Sequence, residues 1–161
     1  MQSLNLPPAG LTIREHNGKT QVFDIVRRRF VSLTPEEWVR QHFIHFLLNT
    51  KKVPATLLAV EMSLKYNRMK KRSDIVVFDR KGKPVLVVEC KAPDVEVTEN
   101  TFRQVAMYNM TLQVPYLVVT NGMHHYACRI DQKKKSYAFL GEVPGYEQMA
   151  DASPVPEHHS R

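Results

Sequence analysis

The sequence predicts an α/β fold in which a mixed β-sheet is flanked by helices. Two apolar runs, Ile75–Phe78 and Val85–Val88, stand on either side of a Lys81-Gly82 turn and predict a buried hairpin. One helix is predicted before the hairpin from the start signal Thr34-Pro35, and another after it over residues 98–112. The second helix is long enough for a right-handed crossover, so a later strand should pair with the hairpin in parallel.

The length of 161 residues predicts one domain, which we place at residues 11–146. Residues 1–10 are predicted to be a flexible arm, because Pro7-Pro8-Ala9-Gly10 offers little to pack. Residues 147–161 are polar and contain prolines, so we expect a disordered tail there. Antiparallel edge strands are predicted at Tyr126–Ile130 and Tyr137–Leu140.

Charge and cysteine usage limit the function classes. Lys and Arg number 23 against 16 Asp and Glu, a net charge of +7 that fits a polyanionic partner. The two cysteines, Cys90 and Cys128, fall in predicted strands and do not resemble a disulfide framework. We therefore expect a reducing, cytoplasmic setting, with no signal peptide, and the sequence has no apolar run of membrane-spanning length.

The first predicted strands, Leu11–Glu15 and Thr20–Phe23, surround Asn17-Gly18, a dipeptide that favours a hairpin turn. Three consecutive arginines, Arg27 to Arg29, follow. They could contact phosphates, but a solvated basic edge is the favoured interpretation.

The first helix has a complete start signal. Thr34 can cap it, Pro35 suits the first helical position, and Glu37 can complete a capping box. We expect the helix to run to about Leu48 and Glu37 to act in capping rather than in metal binding. Apolar residues at helical spacing predict a stripe facing the core: Val39, Phe43, Phe46 and Leu47.

Residues 58–66 alternate and predict a strand with one solvated face, with Val60, Met62, Leu64 and Tyr66 on the other face. If this strand pairs with the strand that holds Asp74, Glu61 would approach as an outer metal ligand; otherwise it is solvated. The following link, residues 67–72, carries four positive charges. Of these, Lys70, Lys71 and Arg72 are the predicted nucleic-acid-binding residues, and a solvated basic turn is the alternative.

Charged residues meet at the end of the central hairpin. If its turn is a two-residue loop, Arg80 opposes Lys83, and antiparallel counting places Asp74 opposite Glu89. Lys91 falls on the same face, because side chains alternate with period two. A three-residue loop with Gly82 in a bulge would shift the pairing by one residue and turn Asp74 to the other face.

Two carboxylates and one lysine at this spacing favour phosphodiester chemistry. Carboxylates held close together repel, so both ionise only if a cation joins them, and without metal at least one should have a raised pKa. Oxygen ligands suit Mg²⁺ or Mn²⁺, and a neighbouring lysine can orient a water or stabilise charge on phosphate. The alternative is that Asp74 and Glu89 are solvated strand-end residues and that Lys91 pairs with one of them.

The same residues carry a family resemblance. Asp74, followed after 14 residues by Glu89-Cys90-Lys91, resembles the PD-(D/E)xK nuclease superfamily, although Ser73 stands where its name has proline. From Phe23 to Leu140 the chain resembles a stand-alone form of the N-terminal nuclease domain of type I restriction enzyme R subunits. The resemblance runs through TPEEWVRQHFI, KRSDIVVFD, GKPVLVVECKAP, the predicted helix with its Gln104 and Tyr108 pair, which resembles a Q-x-x-x-Y element, and VPYLVVTNG.

This resemblance implies a restriction-endonuclease-like core and metal-dependent hydrolysis of DNA phosphodiester bonds, in restriction or DNA processing. Asp74, Glu89 and the Cys90 backbone carbonyl would hold Mg²⁺ or Mn²⁺, and Lys91 would position the water. The implied supporting residues are Glu61, Gln104 and Tyr108. Besides DNA, the implied partner is a separate ATP-dependent motor or specificity protein, and monomer and homodimer both stay open.

Two other functions remain open from the sequence. One is a catalytically silent nucleic-acid-binding or assembly module that keeps the nuclease fold. The other is an adaptor that gains activity only with its ATP-driven partner. The set of two acids and a lysine argues against the silent module, because such a module does not need opposed carboxylates.

Overall fold

The structure is a computed structural model and describes residues 1–151. Its strands are β1 (Ile13–His16), β2 (Lys19–Asp24), β3 (Arg29–Ser32), β4 (Leu58–Tyr66), β5 (Met69–Phe78), β6 (Pro84–Cys90), β7 (Tyr116–Thr120), β8 (His125–Asp131) and β9 (Ser136–Phe139), and its α-helices are α1 (Pro35–Asn49), α2 (Glu99–Leu112) and α3 (Tyr146–Ala150). Strands β4 to β9 form one six-stranded sheet in chain order, and β1 to β3 form a separate antiparallel sheet. The six-stranded sheet is mixed, because β6 and β7 are parallel while the other neighbours are antiparallel. The predicted α/β fold is therefore confirmed.

Helix α1 begins as predicted. The Thr34 hydroxyl accepts the Glu37 backbone N–H at 3.0 Å, and Pro35 occupies the first turn. The predicted capping box is wrong, because the Glu37 carboxylate accepts hydrogen bonds from other side chains instead. Those side chains belong to Arg27, Arg40 and Gln41.

The central hairpin combines the register expected for a two-residue turn with the alternative three-residue turn. Ile75 pairs with Val88, which is the register that sets Asp74 against Glu89. The loop itself holds three residues, since Asp79 N–H donates to the Lys83 carbonyl. A register shift between Val77 and Phe78 compensates for the extra residue. The pairing of Ile75 with Val88 is therefore retained. Without the register shift, the three-residue loop would have moved this pairing by one position.

Helices α1 and α2 cover opposite faces of the large sheet. The β5 and β6 residues Ile75, Val77 and Val88 pack in one buried cluster with Phe43 and Leu47 of α1. The β5 and β6 residues that alternate with these, Val76 and Val87, pack in a second cluster. This cluster also contains Phe102 and Ala106 of α2 and Leu117 of β7. Thr98 caps α2, accepting the Thr101 N–H at 3.1 Å, and α2 is the crossover between the parallel strands β6 and β7, as predicted.

Strand β4 pairs with β5 as expected, but its apolar side chains do not all lie on the same side of the sheet. Val60 packs in the α1 cluster and Leu64 in the α2 cluster, although residues four apart on a regular strand share a face. Glu61 lies between them with a left-handed φ of 53°, which reverses the alternation. The predicted link over residues 67–72 is also mostly strand, because only Asn67 and Arg68 form the turn.

The first ten residues contact the folded domain. Leu4 and Leu6 pack against the α1 cluster, the Asn5 N–H donates to the Gly122 carbonyl at 2.8 Å, and the Trp38 indole N–H donates to the Gln2 carbonyl at 2.7 Å. The expectation that this segment offers little to pack is therefore wrong.

The C-terminal region is ordered further than predicted. Helix α3 buries Tyr146 and Met149, and the Tyr146 hydroxyl donates to the Phe78 carbonyl at 3.0 Å. The predicted tail therefore cannot begin at residue 147, and its remainder from residue 152 lies outside the described residues. None of the helices within residues 1–151 has the length and apolar composition needed to cross a bilayer.

Candidate active site

Asp74 and Glu89 lie where β5 and β6 separate. The Cα pairing of these strands ends at Ile75 and Val88, one position before the two acids. Asp74 Oδ2 then accepts the Cys90 backbone N–H at 2.7 Å, a bond that fixes Asp74 beside the residue after Glu89. The side chains are 20% exposed for Asp74 and 14% for Glu89. The structure thus brings together the two acids that the sequence predicts as a pair, in a partly buried place.

Lys71 lies inside this site. Its ammonium forms an ion pair with Glu89 Oε2, and it lies 5.6 Å from the centre of the Tyr108 ring, in cation–π geometry. Only 15% of the Lys71 side chain is exposed. The prediction that Lys71 contacts nucleic-acid phosphates along with its neighbours therefore does not describe this conformation, in which Lys71 is the counterion of Glu89.

Lys91 approaches the same acids from the end of β6. Its backbone N–H donates to the Thr120 carbonyl at 2.8 Å, which ties the segment after β6 to the end of β7. Its charge is close enough to lower the pKa of both Glu89 and Glu36, although larger causes outweigh it in each case. Lys91 therefore belongs to the electrostatic surroundings of the predicted site.

The pKa of the Glu89 carboxyl is raised, as expected for one member of a crowded pair. The largest cause is burial, which the Lys71 ammonium opposes, and the charge of Asp74 raises the pKa by less. The sequence argument predicted the direction correctly, but repulsion between the acids is not the main reason. Burial is the main reason because little of the Glu89 side chain reaches solvent.

Arg40 of α1 joins the site to the helix. Its guanidinium is only 7% exposed and lies 3.1 Å from Asp74 Oδ1, 3.1 Å from Glu37 Oε1 and 3.6 Å from Glu61 Oε2. Burial opposes the Arg40 charge, but Glu37 and Asp74 more than compensate and raise the pKa of Arg40. Arg40 therefore stays charged and holds Asp74 from the α1 side.

Arg27 extends these ion pairs to the small sheet. It pairs with Asp24 at 2.7 Å, Glu61 at 2.9 Å and Glu37 at 3.0 Å, and its side chain is 14% exposed. The solvated basic edge predicted for Arg27 to Arg29 is therefore wrong for Arg27, while Arg28 and Arg29 are exposed. Glu61, predicted as an outer metal ligand, faces arginines: besides Arg27 and Arg40 it pairs with Arg72 at 3.1 Å.

Glu36, which was not among the predicted site residues, is exposed beside the buried Glu37. It lies in the first turn of α1, and its pKa is raised by partial burial and next by the charge of Asp74. Two acids stand together at the helix start, and the capping position singled out Glu37. In the structure Glu37 pairs with Arg27 and Arg40, whereas Glu36 is influenced by the charge of Asp74.

The comparisons with known proteins agree with this architecture. A family model described as the type I restriction enzyme R protein N terminus (HSDR_N) matches residues 35–144, more than half of the chain. The chain belongs to this family. The resemblance to the N-terminal domain of type I restriction enzyme R subunits, predicted from the sequence, is thereby confirmed.

Among solved structures, a fragment of a restriction-enzyme subunit is similar to this chain. It is a fragment assigned as an HsdR subunit of a type I restriction enzyme from Vibrio vulnificus YJ016, with 16% sequence identity and a TM-score of 0.46. The match covers 70% of this chain and 24% of that one, so the present chain spans about a quarter of its relative. No curated protein matches the chain.

The remaining predicted site residues differ in whether they contact the groups around Asp74 and Glu89. Tyr108 reaches the site through Lys71, whereas Gln104, one turn earlier on α2, is exposed. Lys70 is exposed on β5, and the Arg72 side chain is 65% exposed while it pairs with Glu61. Of the three predicted nucleic-acid-binding residues, Lys71 therefore lies inside the site, whereas Lys70 and Arg72 lie outside it.

The donor atoms suit a hard divalent cation. Asp74 and Glu89 supply carboxylate oxygens, and each Asp74 oxygen accepts a single hydrogen bond, which leaves lone pairs free. Mg²⁺ and Mn²⁺ accept one or two carboxylates and complete their shell with water and substrate. Within residues 1–151 there is no cluster of three or more His, Cys, Asp or Glu side chains that could hold a metal, so a backbone oxygen such as the Cys90 carbonyl would be needed.

Proposed function

We propose that this protein is a metal-dependent nuclease that hydrolyses DNA phosphodiester bonds, in a restriction or DNA-processing context. The observation that carries the proposal is the meeting of Asp74 and Glu89 at the end of β6, with Lys71 and Lys91 beside them. Membership in the R protein N-terminal family supports it.

Each residue has a chemical role in this proposal. A Mg²⁺ or Mn²⁺ ion held by Asp74, Glu89 and the Cys90 carbonyl would polarise the phosphate and lower the pKa of a bound water. Lys91 would orient the attacking water and stabilise charge that develops on the phosphate oxygens. Arg40 acts indirectly, because it holds Asp74 in place through the 3.1 Å contact to Oδ1.

Residues of α2 and β5 would shape the substrate side of the site. The Lys71 ammonium balances Glu89 and would be free to bind a phosphate oxygen once another cation takes over Glu89. Tyr108 limits where Lys71 can move, since the ammonium lies over its ring. Gln104 and Glu61 are supporting residues in the same proposal.

The test is cleavage of plasmid, linear duplex and single-stranded DNA by the purified protein in Mn²⁺ or Mg²⁺. Wild type should nick or degrade DNA, and Asp74→Ala, Glu89→Ala and Lys91→Ala should each lower the rate by at least about 100-fold. Lys83→Ala, which removes an exposed lysine from the turn at the other end of the hairpin, is the matched control and should cleave as wild type. Activity that survives all three site substitutions would move the chemistry elsewhere.

A second candidate function is a nucleic-acid-binding or assembly module without turnover, and one observation favours it. The charges of the acids are already balanced by protein groups, since Arg40 pairs with Asp74 and Lys71 with Glu89. Such a module would bind DNA in chelator as well as in Mn²⁺ and would cleave nothing. If cleavage appears only when an ATP-driven motor or specificity protein is added, the chain is an adaptor nuclease that depends on its partner.

A further inference from the structure

The outer half of the β4 and β5 pair forms a two-stranded ribbon that we call the β4–β5 ribbon, residues Met62–Tyr66 and Met69–Ser73. Within the described chain β5 pairs with β6 only from Ile75 onward, so the ribbon extends past the end of β6. Its closing turn is Asn67-Arg68, with Asn67 in the left-handed conformation at φ 56°. The ribbon begins directly beside the candidate active site, because Ser73 precedes Asp74.

The two faces of the ribbon differ. Leu64 packs in the α2 cluster, its partner Lys71 reaches Glu89, and the next pair, Tyr66 and Met69, lines a cavity of about 370 Å³ beside the end of α2. Side chains alternate along a strand, so the other pairs point away from α2. The outward face therefore carries Lys65 opposite Lys70 and Ser63 opposite Arg72.

The outward face carries two lysines that have no ion-pair partner within residues 1–151, Lys65 and Lys70. Residues 62–73 contain five lysines and arginines and no acid, but Lys71 lies on the other face beside Glu89 and Arg72 pairs with Glu61. Lys65 and Lys70 are both exposed and stand directly opposite each other, an arrangement that destabilises a strand pair. Among the ion pairs of residues 1–151, none involves Lys65, Arg68 or Lys70. A repulsive pair of this kind is stabilised when a polyanion lies across it.

We propose that the outward face of the β4–β5 ribbon binds the phosphate backbone of duplex DNA and guides it to the acids; this inference rests on the proposed nuclease function and assigns the surface that holds its substrate. Lys70 lies four residues before Asp74, at most about 13 Å along the strand. Phosphates on this face would therefore lie within a few nucleotides of the centre. The contacts are to phosphate, so they carry no sequence preference.

The outward face favours duplex over single-stranded DNA because its residue pairs include no aromatic side chain. Proteins that hold single strands combine positive charge with aromatic rings on which bases stack. The outward pairs contain no aromatic residue, and the one tyrosine of the ribbon, Tyr66, lines the cavity on the opposite face. Charge alone favours the ligand with the higher density of phosphates, which is the duplex.

The experiment compares two double substitutions that remove the same charge. Lys65→Ala with Lys70→Ala should weaken binding of a fluorescent 30-base-pair duplex roughly tenfold at 100 mM salt and flatten the salt dependence by a slope of about 1.8. Lys81→Ala with Lys83→Ala, in the exposed turn at the opposite end of β5, should change affinity less than twofold. Binding is measured by anisotropy in EDTA, so that no cleavage intervenes.

A stability measurement separates a binding role from a structural one. Lys70→Glu replaces the like-charged pair by an opposite-charged pair, so the melting temperature of the free protein should rise by about 1–3 °C while duplex binding falls. A structural lysine would give a lower melting temperature. Equal losses of affinity for the two double variants, tighter binding of single strands than of duplex, or no duplex binding by wild type at low salt would each overturn the inference.

Measurements of duplex binding and of cleavage separate the ribbon assignment from the nuclease assignment. If duplex binding follows the prediction but no DNA is cleaved in Mn²⁺, the ribbon assignment stands and the nuclease assignment falls. If wild type cleaves duplex DNA at a rate that the Lys65 and Lys70 substitutions leave unchanged, the nuclease assignment stands and the ribbon assignment falls.

Discussion

Asp74 and Glu89 have different environments although they share one site. Asp74 is held through both of its oxygens, by Arg40 from α1 and by the Cys90 N–H from β6. Glu89 pairs with the ammonium of Lys71, which is carried by a flexible four-carbon side chain. Asp74 is therefore positioned before any ligand arrives, whereas the charge balance at Glu89 can change when a metal or a phosphate binds.

His125 makes the stability of the domain depend on pH. The neutral ring fits its surroundings: Nε2–H donates to the Asn5 carbonyl at 2.7 Å, and Nδ1 accepts from the Thr120 hydroxyl at 2.7 Å. Burial lowers the pKa of His125 below its ordinary 6.5, and the hydrogen bond to Asn5 only partly opposes this. The unfolded chain therefore binds a proton at a higher pH than the folded chain does.

The sign of the effect follows from that difference. Between the lowered folded pKa and about 6.5 the unfolded state holds more protons, so stability falls as the pH falls through this window. We expect His125→Gln to lose less stability than wild type between pH 7.5 and pH 5.5, measured by urea unfolding at each pH. His16→Gln, at an exposed strand end, should keep the wild-type pH dependence; identical curves for all three proteins would contradict the assignment.

At the scale of elements, the central hairpin was predictable because its burial pattern is stronger than its turn signal. The turn is the longer of the two that the sequence left open, yet the apolar residues of β5 and β6 still face the core, and the shift at Val77 and Phe78 absorbs the difference. The reversal of β4 at Glu61 was not predictable, since nothing in the alternation of residues 58–66 marks a left-handed glutamate. Glu61 forms ion pairs with Arg27 and Arg72, and the position of Arg27 relative to β4 depends on tertiary structure.

The N-terminal segment depends on one glycine in the turn between β7 and β8. Gly122 has φ +86°, and a Cβ there would lie 2.8 Å from Leu4 Cδ2 and 3.2 Å from Val39 Cγ2. Gly122→Ala should therefore cost about 2 kcal/mol of unfolding free energy and displace the Leu4 segment, because strain and close contact add. Chymotrypsin should then cleave within the first ten residues faster than in wild type.

The control for this prediction is Gly18→Ala in the β1–β2 turn. Gly18 has a similar φ of +75°, but the space around its missing Cβ is open. This variant should lose only about 1 kcal/mol from backbone strain and keep the wild-type cleavage rate near the N-terminus. Equal proteolysis of the two variants would mean that Leu4 is not held by the approach to Gly122.

At the scale of the whole molecule, the sequence predicted the acids but not what holds them. Strand alternation and register predict that Asp74, Glu89 and Lys91 share a face, because these patterns depend on neighbours along two strands. Two of the ion pairs around them join residues 34 positions apart, Arg40 with Asp74 and Arg27 with Glu61. No local pattern distinguishes Arg27, which pairs with Glu61, from Arg28 and Arg29 beside it.

Arg27 provides the sharpest test of this long-range organisation. It is the partner of three carboxylates on three elements, and removing it leaves Asp24 buried with only Gln41 and backbone N–H donors. Loss of one member of such a network costs about 3–5 kcal/mol, so Arg27→Met should lower the unfolding free energy by roughly 3 kcal/mol in urea titrations. Arg28→Met removes the same charge from an exposed neighbour and should change it by less than about 0.5 kcal/mol. If both substitutions cost the same, Arg27 is a surface charge and the small sheet is not linked to Asp74 through it.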